Sequence, residues 1–175
     1  EACPNDLAPT TSTTAQLVLG DALAVCLLKM KGFSSNDFAR FHPAGILGKK
    51  LTLQVKDVYN TYSKPSVKLS DGFEKIILEI SSKRLGATVV VEGNNIKGII
   101  TDGDIRRFLE NKKNIYECVA SDLMSINPKL IDEKELAYLA LNMMKKHNIT
   151  QLLVVKNKLY TGIIHLHDIL KEKIN

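Results

Sequence analysis

The chain has 175 residues, and 24 Lys and Arg against 19 Asp and Glu give it a formal net charge of +5. Its 45% hydrophobic and 25% charged residues are typical of a globular protein. They exclude an intrinsically disordered chain, which combines low hydrophobicity with a strong net charge. Cys3, Cys26 and Cys118 are few, odd in number and far apart. This spacing excludes a disulfide scaffold and favours reduced thiols in the cytoplasm.

The charge and hydropathy patterns predict neither a nucleic-acid partner nor a membrane partner. The basic residues are scattered, whereas binding to nucleic acid needs a clustered basic footprint. A phosphorylated small molecule would suit the mild basic excess equally well. The most apolar stretch, 15–30, contains Asp21 and Lys29 and is too short and too charged to span a bilayer. Because no basic n-region of a secretory signal is visible either, we expect a cytoplasmic protein.

The N-terminal region contains two predicted helices and no strand. A run of hydroxyl residues at 10–14 precedes a stretch at 15–25 that is apolar on nearly every side, which predicts a buried helix closed at Gly32. A short helix over 36–40 follows and ends before Pro43, because the residue before a proline avoids helical conformation. Two helices without a sheet cannot close a core. We therefore expect this region to be the remnant of a larger domain.

The rest of the chain contains an internal repeat. When the chain is shifted by 64 residues, 98–105 (GIITDGDI) falls on 162–169 (GIIHLHDI). In the same register Val90-Val91 falls on Val154-Val155, and Pro65 meets Pro128 after a slip of one residue. Self-similarity of this kind is the signature of a repeated structural unit.

Each repeat predicts the order β-α-β-β-α. In the first repeat the elements are an extended piece at 64–67, a helix with apolar residues at 73, 76, 77 and 80, a buried strand at 87–91, a turn at 92–95, a strand at 98–100 and a helix over 104–110. In the second repeat the extended piece lies at 127–130 and the apolar helix positions are 136, 139, 140, 143 and 144. We expect an α/β (α+β) fold in which the two repeats pack together, since neither would bury its sheet alone.

Polar residues beside the first helix of each repeat predict how these helices begin and end. Ser70 or Asp71 is expected to cap the helix of the first repeat. Asp132 with Glu135 fits a capping box in the second repeat. His147 is expected to complement the C-terminus of that second helix.

The last helix of the unit is opened by the motif Gly-hydrophobic-hydrophobic-Thr-x-x-Asp. With this motif, the paired unit resembles a cystathionine-β-synthase (CBS) domain pair over residues 55–173. The resemblance implies that a ligand with a ribose binds in the cleft between the repeats. Asp104 or Asp168 would hold the ribose hydroxyls and Thr101 would contact phosphate, in keeping with the anion preference of helix N-termini. His165 replaces Thr101 in the second repeat, so the two sites would not be equivalent. The alternative is that both aspartates only cap their helices.

The spacing of two histidines raises the question of a metal site. His165 and His167 would face the same side of a strand, and a metal could bridge them. At least one further ligand is normally needed, and no cysteine or third histidine accompanies the pair. We therefore expect neither a metal nor a cofactor.

Four motifs in the N-terminal region carry a second resemblance. They are EACP at 1–4, LAPTTSTT at 7–14, GDALA at 20–24 and HPAGILG at 42–48. In this order they resemble the C-terminal end of a sugar isomerase (SIS) domain, specifically in the D-arabinose 5-phosphate isomerase family, which joins that domain to a CBS pair. Ala44 and Phe41 depart from the family's usual Gly and Ser. The resemblance divides the chain into a SIS remnant at 1–50, a first CBS repeat at 51–115 and a second at 116–175.

The resemblance implies the interconversion of D-arabinose 5-phosphate and D-ribulose 5-phosphate for synthesis of Kdo, the acidic sugar of lipopolysaccharide and some capsules. Such an isomerisation passes through an enediol, which needs a base on one face and an acid for the oxygens. Glu1 would be the base or its partner. His42 would move protons during ring opening or at the enediol oxygens. Thr11, Ser12 and Thr13 would contact the sugar or its phosphate.

Each of these residues also has a structural alternative. Glu1 would be a solvated terminus, His42 would satisfy a loop carbonyl, and the hydroxyl residues would form a turn and a helix cap.

The same resemblance implies what the chain lacks and how it assembles. The family's catalytic Lys, another Glu and the main phosphate loop lie upstream of Glu1, so this chain alone is not expected to isomerise sugars. Family members are homotetramers with shared active sites. The CBS pair would sense a nucleotide or a nucleotide-sugar such as CMP-Kdo, or would only hold the tetramer together.

Overall fold

The computed structural model describes residues 1–42, 45–110 and 114–174. Within these residues the strands form a four-stranded sheet in the order β1-β2-β3-β4 and a three-stranded sheet in the order β5-β6-β7. The strands are β1 (Ser66–Lys68), β2 (Ala87–Glu92), β3 (Asn95–Thr101), β4 (Ser125–Ile126), β5 (Leu130–Asp132), β6 (Gln151–Lys156) and β7 (Leu159–His165). The helices are α1 (Thr10–Met30), α2 (Ser35–Phe41), α3 (Ile46–Thr52), α4 (Phe73–Lys83), α5 (Asp102–Glu110), α6 (Ala120–Leu123), α7 (Ala137–His147) and α8 (Leu166–Lys171).

The predicted repeat is confirmed as β1-α4-β2-β3-α5 and β5-α7-β6-β7-α8. In each repeat the first strand pairs parallel to the second, and the second pairs antiparallel to the third. Val90 lies opposite Gly98 and Val154 lies opposite Gly162, and both ladders shift register at the next residue. The offset of 64 residues seen in the sequence is therefore also the offset of the ladders.

The two sheets share a buried apolar layer. It consists of Ala87 and Val89 from the first sheet and Leu153, Tyr160 and Ile163 from the second. Ala87, Val89 and Leu153 are fully buried. Because both sheets supply residues to this layer, the prediction that the two repeats pack against one another to bury their sheets is confirmed.

The segment before each repeat packs on the other repeat. A short 3-10 turn, Val55–Asp57, precedes the first repeat, yet Val55 N donates to Glu135 O at 2.8 Å and Lys56 N donates to Glu133 O at 2.9 Å in the second. Val55 and Tyr59 are buried in the core of the second repeat.

The segment before the second repeat does the reverse. Ala120 N donates to Asp71 O at 2.9 Å and Ser121 N donates to Leu69 O at 3.1 Å, while β4 extends the first sheet by pairing with β3. Leu123 lies in the core of the first repeat. The repeats thus exchange these segments, and each core is completed by residues that precede the other.

The prediction of a buried N-terminal helix is wrong within this chain, because no residue of α1 is buried. The helix begins at Thr10, five residues before the predicted apolar stretch. Its 21 residues are long and apolar enough to cross a membrane by length and composition, contrary to the expectation from residues 15–30 alone. Its large exposed side chains are Leu17, Val18, Leu19, Leu23, Val25, Leu27, Leu28 and Met30.

The short helix after α1 is confirmed as α2, which begins with a capping box between Ser34 and Asp37. A third helix, α3, was not predicted from the sequence. The short helix was predicted to end before Pro43, and Ala44 stands where the resembled family usually has Gly. Both residues lie outside the described residues.

The predicted caps of the two repeat helices are wrong. The N-cap of α4 is Gly72, and the Asp71 carboxylate instead accepts from Lys68 N at 2.7 Å. The N-cap of α7 is Leu136, and the Asp132 carboxylate accepts from Lys134 N at 2.9 Å. Both carboxylates therefore stabilise the turn between a strand and the helix that follows it, rather than the helix N-terminus itself. His147 is confirmed as the last residue of α7.

Candidate functional site

The end of β3 and the first turn of α5 form a hydrogen-bonded cluster around Asp104, which is 7% exposed. Its Oδ2 accepts from Thr101 N at 2.8 Å and from Thr101 Oγ1 at 2.6 Å. Its Oδ1 accepts from Ser125 Oγ at 2.8 Å and from the Arg107 guanidinium. Ser125 reaches the cluster because β4 pairs with β3.

These contacts decide the charge of Asp104. Burial raises the pKa of the carboxyl group, but the hydrogen bonds from Thr101, Ser125 and Arg107 outweigh it and hold the pKa below its ordinary value. The carboxylate is therefore ionised at neutral pH. Both oxygens already bind protein groups, so a ribose diol at Asp104 would have to displace Ser125 or Arg107.

Two cavities adjoin this cluster, with volumes of about 230 and 370 Å³. They share Thr101, Arg107, Ile149 and Gln151 in their walls. The cavities therefore lie between the two repeats, with the end of β3 and α5 of the first repeat on one side and the start of β6 of the second repeat on the other. Ligand pockets start at about 300 Å³, so the space suits a small molecule. Their cationic lining residues are Arg106, Arg107 and Lys129.

The corresponding position in the second repeat is built differently. His165 ends β7, and its Nδ1 accepts from His167 N at 3.1 Å at the start of α8. Burial, and next the charge of His167, lower the pKa of His165. Asp168 pairs with Lys171 at 3.0 Å rather than with the backbone of residue 165. Neither His165 nor Asp168 lines the two cavities.

The two histidines do not lie on one strand, which was the condition for their facing the same side: β7 ends at His165 and α8 begins at Leu166. Their rings nevertheless stack, with centroids 4.9 Å apart. Among the described residues, no group of three or more His, Cys, Asp and Glu is arranged to hold a metal ion.

The N-terminal site residues form a separate cluster at the start of α1. The Glu1 carboxylate accepts from Thr11 N at 2.7 Å, from Ser12 N at 3.1 Å and from Ser12 Oγ. Thr13 Oγ1 donates to Thr10 O at 3.2 Å within the helix. The bond from Ser12 Oγ, followed by that from Ser12 N, lowers the pKa of Glu1. An anion at the N-terminal amides of a helix is also favoured by the helix dipole.

His42 follows α2 and contacts that helix. Its backbone N donates to Phe38 O at 3.0 Å, and the two rings lie 4.6 Å apart. Within the part of the chain that the structure describes, no hydrogen bond or ring contact joins His42 to Glu1. The structure thus brings Glu1, Thr11 and Ser12 together and leaves His42 in a second cluster.

Two residues of the cleft were missed by sequence reasoning. Arg107 lies three positions after Asp104 on a helix, and this spacing predicts an ion pair. Ser125 carries no such signal, because a two-residue strand is recognisable only from the strand with which it pairs.

Comparison with known proteins gives three results. The CBS domain model matches residues 55–111 and 120–175. Arabinose 5-phosphate isomerase KdsD of Francisella tularensis is 50% identical over 173 residues, which is 98% of this chain and 53% of the isomerase. The chain therefore spans about half the length of the curated relatives it matches.

Solved structures give the fold. An uncharacterized conserved protein from Pyrococcus horikoshii superposes with a TM-score of 0.63 at 21% identity, over 71% of this chain and 94% of its own. CBSX2 in complex with AMP superposes with a TM-score of 0.58 at 18% identity, over 70% of this chain and 96% of its own.

Proposed function

This chain belongs to the CBS domain family, and we propose that it is the C-terminal part of an arabinose 5-phosphate isomerase. The observation that carries the proposal is the extent of the match to KdsD, since 98% of the chain is covered. The match therefore includes the segment before the two CBS matches, in which His42 lies.

The geometry at the start of α1 supports a role for Glu1 in the reaction. Its carboxylate accepts from the backbone amides of Thr11 and Ser12, beside the hydroxyl residues assigned to the substrate. Glu1 is the base or its partner. His42 transfers protons during ring opening or at the enediol oxygens, and Thr11, Ser12 and Thr13 contact the substrate.

The exposed apolar surface of α1 supports the same proposal. A stretch this apolar is unusual on a soluble surface and marks an interface. In the longer protein α1 packs in the SIS domain, of which residues 1–50 are the end, while 51–115 and 116–175 are the two CBS repeats. The protein is a cytoplasmic homotetramer that supplies Kdo synthesis for lipopolysaccharide or capsule.

An isomerase assay on the full-length protein tests the proposal. Arabinose 5-phosphate and several other aldose phosphates serve as substrates, and preferential turnover of arabinose 5-phosphate is expected. His42→Asn should lower kcat by about 10²- to 10⁴-fold, as loss of a general acid–base group does. His147→Asn is the matched control, because His147 is exposed at the end of α7. Equal activity of the two variants, or no turnover by the unsubstituted protein, would contradict the proposal.

The cavities beside Asp104 favour a second function, binding of an anionic nucleotide or nucleotide-sugar such as CMP-Kdo. Arg106, Arg107 and Lys129 supply positive charge there, and Arg binds phosphate in a bidentate manner. CBSX2, a protein of the same fold, binds AMP. The alternative is that the CBS pair only stabilises the tetramer.

Calorimetric titration of this chain with AMP, ATP and CMP-Kdo distinguishes the two alternatives. Binding that weakens about tenfold in Arg107→Met, but not in Arg40→Met, would support the sensing function. A hydrogen bond to a charged group contributes about 1.5 kcal/mol or more, which is about tenfold in affinity. Absence of binding by all three ligands, with the tetramer lost on deleting the CBS pair, would support the scaffold alternative. For a sensor, CMP-Kdo should also lower the isomerase rate.

A further inference from the structure

The helix α3 is held on the second repeat by two lysine contacts. Lys49 Nζ lies 2.9 Å from Glu172 Oε2 and 3.2 Å from Glu172 O, at the C-terminal end of α8. The two side chains are 37% and 38% exposed, so the ion pair is half-buried. The next residue, Lys50, places its Nζ 5.2 Å from the ring centroid of Tyr138 on α7.

The backbone after α3 continues the attachment. Leu53 O accepts from Ala137 N at 2.8 Å, at the start of α7. The Leu53 side chain packs against the core of the second repeat. The helix α3 is therefore attached to α7 and α8 of the second repeat.

The other side of α3 carries the segment with His42. The helices α2 and α3 pack against one another, and a small residue on each, Ala39 and Gly48, is buried. His42 follows α2 directly, and its ring contacts the Phe38 ring in a tilted arrangement, with centroids 4.6 Å apart. A continuous series of contacts thus runs from Glu172 through Lys49 and the α2–α3 pair to the His42 ring. Coupling between separated positions needs contiguous packing of this kind.

We propose that Lys49 and Glu172 are positioning residues for His42, through which the second CBS repeat orients a group of the isomerase active site. The inference rests on the proposed function, since it assigns His42 to the reaction. Neither residue reaches a substrate; each acts by holding α3 in place. A misplaced proton-transfer group slows the chemical step more than it weakens substrate binding.

The test uses the full-length protein with Lys49→Met, Glu172→Gln and the reversed pair Lys49→Glu with Glu172→Lys. Each single variant should lower kcat for arabinose 5-phosphate about twofold to fivefold with little change in KM, a loss in the range of a half-exposed ion pair. The reversed pair should recover most of the rate. Lys97→Met is the matched control, because it removes a 2.8 Å ion pair to Glu92 in the hairpin between β2 and β3.

The possible results separate the two proposals. If the unsubstituted protein turns over arabinose 5-phosphate and both single variants keep its kcat, the inference is overturned and the proposed function stands. If the unsubstituted protein shows no turnover, the proposed function is overturned and this inference with it. A fall in kcat without recovery in the reversed pair would also overturn the inference. Melting temperature and tetramer content are measured in parallel, and a positioning role leaves both unchanged.

Discussion

At the scale of single residues, Gly98 and Gly162 occupy equivalent places in the two repeats, and a segment from the other repeat crosses each of them. A Cβ at Gly98 would lie 2.8 Å from Ser125 O and 2.9 Å from Met124 Sδ. A Cβ at Gly162 would lie 2.8 Å from a ring carbon of Tyr59. The glycines are therefore needed for close approach, and not for a left-handed backbone.

Alanine substitution tests this requirement. Gly98→Ala should lower the free energy of unfolding by about 1–3 kcal/mol, the usual cost of overpacking, because the backbone at Ser125 cannot move aside cheaply. Gly72→Ala is the control, since a Cβ there meets nothing within 4 Å. Urea denaturation followed by circular dichroism gives both values. Equal stability of the two variants would show that β4 is not held tightly on β3.

The hydrogen bonds of Asp104 predict a dependence of stability on pH. Because the folded-state pKa of Asp104 is lowered, its contribution is present above the unfolded pKa of about 3.9 and is lost as pH falls through the folded value. Asp104→Asn should cost about 1–3 kcal/mol near neutral pH. The difference between Asp104→Asn and the unsubstituted chain should shrink between about pH 5 and pH 2. A difference that stays constant over this range would contradict the ionised, hydrogen-bonded carboxylate.

At the scale of elements, periodicity and internal repetition predicted the strands and helices of both repeats, because these signals are local and occur twice. The signal failed where an element depends on a distant partner. The strand β4 exists only through its pairing with β3. Asp71 lies one residue before the N-cap of α4 and Asp132 four residues before the N-cap of α7, and both accept from the turn before the helix instead. The burial of α1 was predicted from its composition, but burial needs a surface to pack on, and the described residues bury no part of α1.

The candidate sites show the same difference between local sequence signals, which were predicted, and contacts between distant residues, which were not. Glu1 with Thr11 and Ser12 followed from the family motifs, and the structure brings these residues into contact. The replacement of Thr101 by His165 predicted that the two cleft positions would differ, and their hydrogen bonds do differ in the structure. The lining of the cavities by Arg107 and Ser125 required the packing of one repeat on the other, which no local pattern encodes.

The exposed helix α1 predicts a difference between this chain and the longer protein. Backbone amides of Thr10–Met30 should exchange with solvent rapidly in this chain alone, because no residue of the helix is buried and unburied elements open easily. In the full-length protein the same amides should be protected if α1 packs within a SIS domain, as proposed above. Hydrogen exchange read by mass spectrometry compares the two, with α7 as the internal reference. Rapid exchange in both proteins would contradict packing of α1 on the missing domain.

At the scale of the whole molecule, the exchanged segments make the two repeats one unit of stability. Val55 precedes β1, the first strand of the first repeat, yet it is fully buried in the core of the second. Ile115 and Leu123 lie between α5 and β5 and are buried in the core of the first. Neither repeat can unfold without withdrawing a segment from the core of the other, so the domain pair should unfold in one cooperative transition.

Val55→Ala tests this cooperativity. The substitution removes buried methyl groups from the second repeat and should lower its free energy of unfolding by about 2 kcal/mol. Cooperative coupling extends the same loss to α4 in the first repeat, which does not contact Val55 within the described cores. Hydrogen exchange of α4 and α7 amides measures the two losses separately, and Val18→Ala on the exposed face of α1 controls for the loss of methyl groups alone. A loss confined to α7 would mean that the repeats unfold independently, and the exchanged segments would then serve only to align the cleft between them.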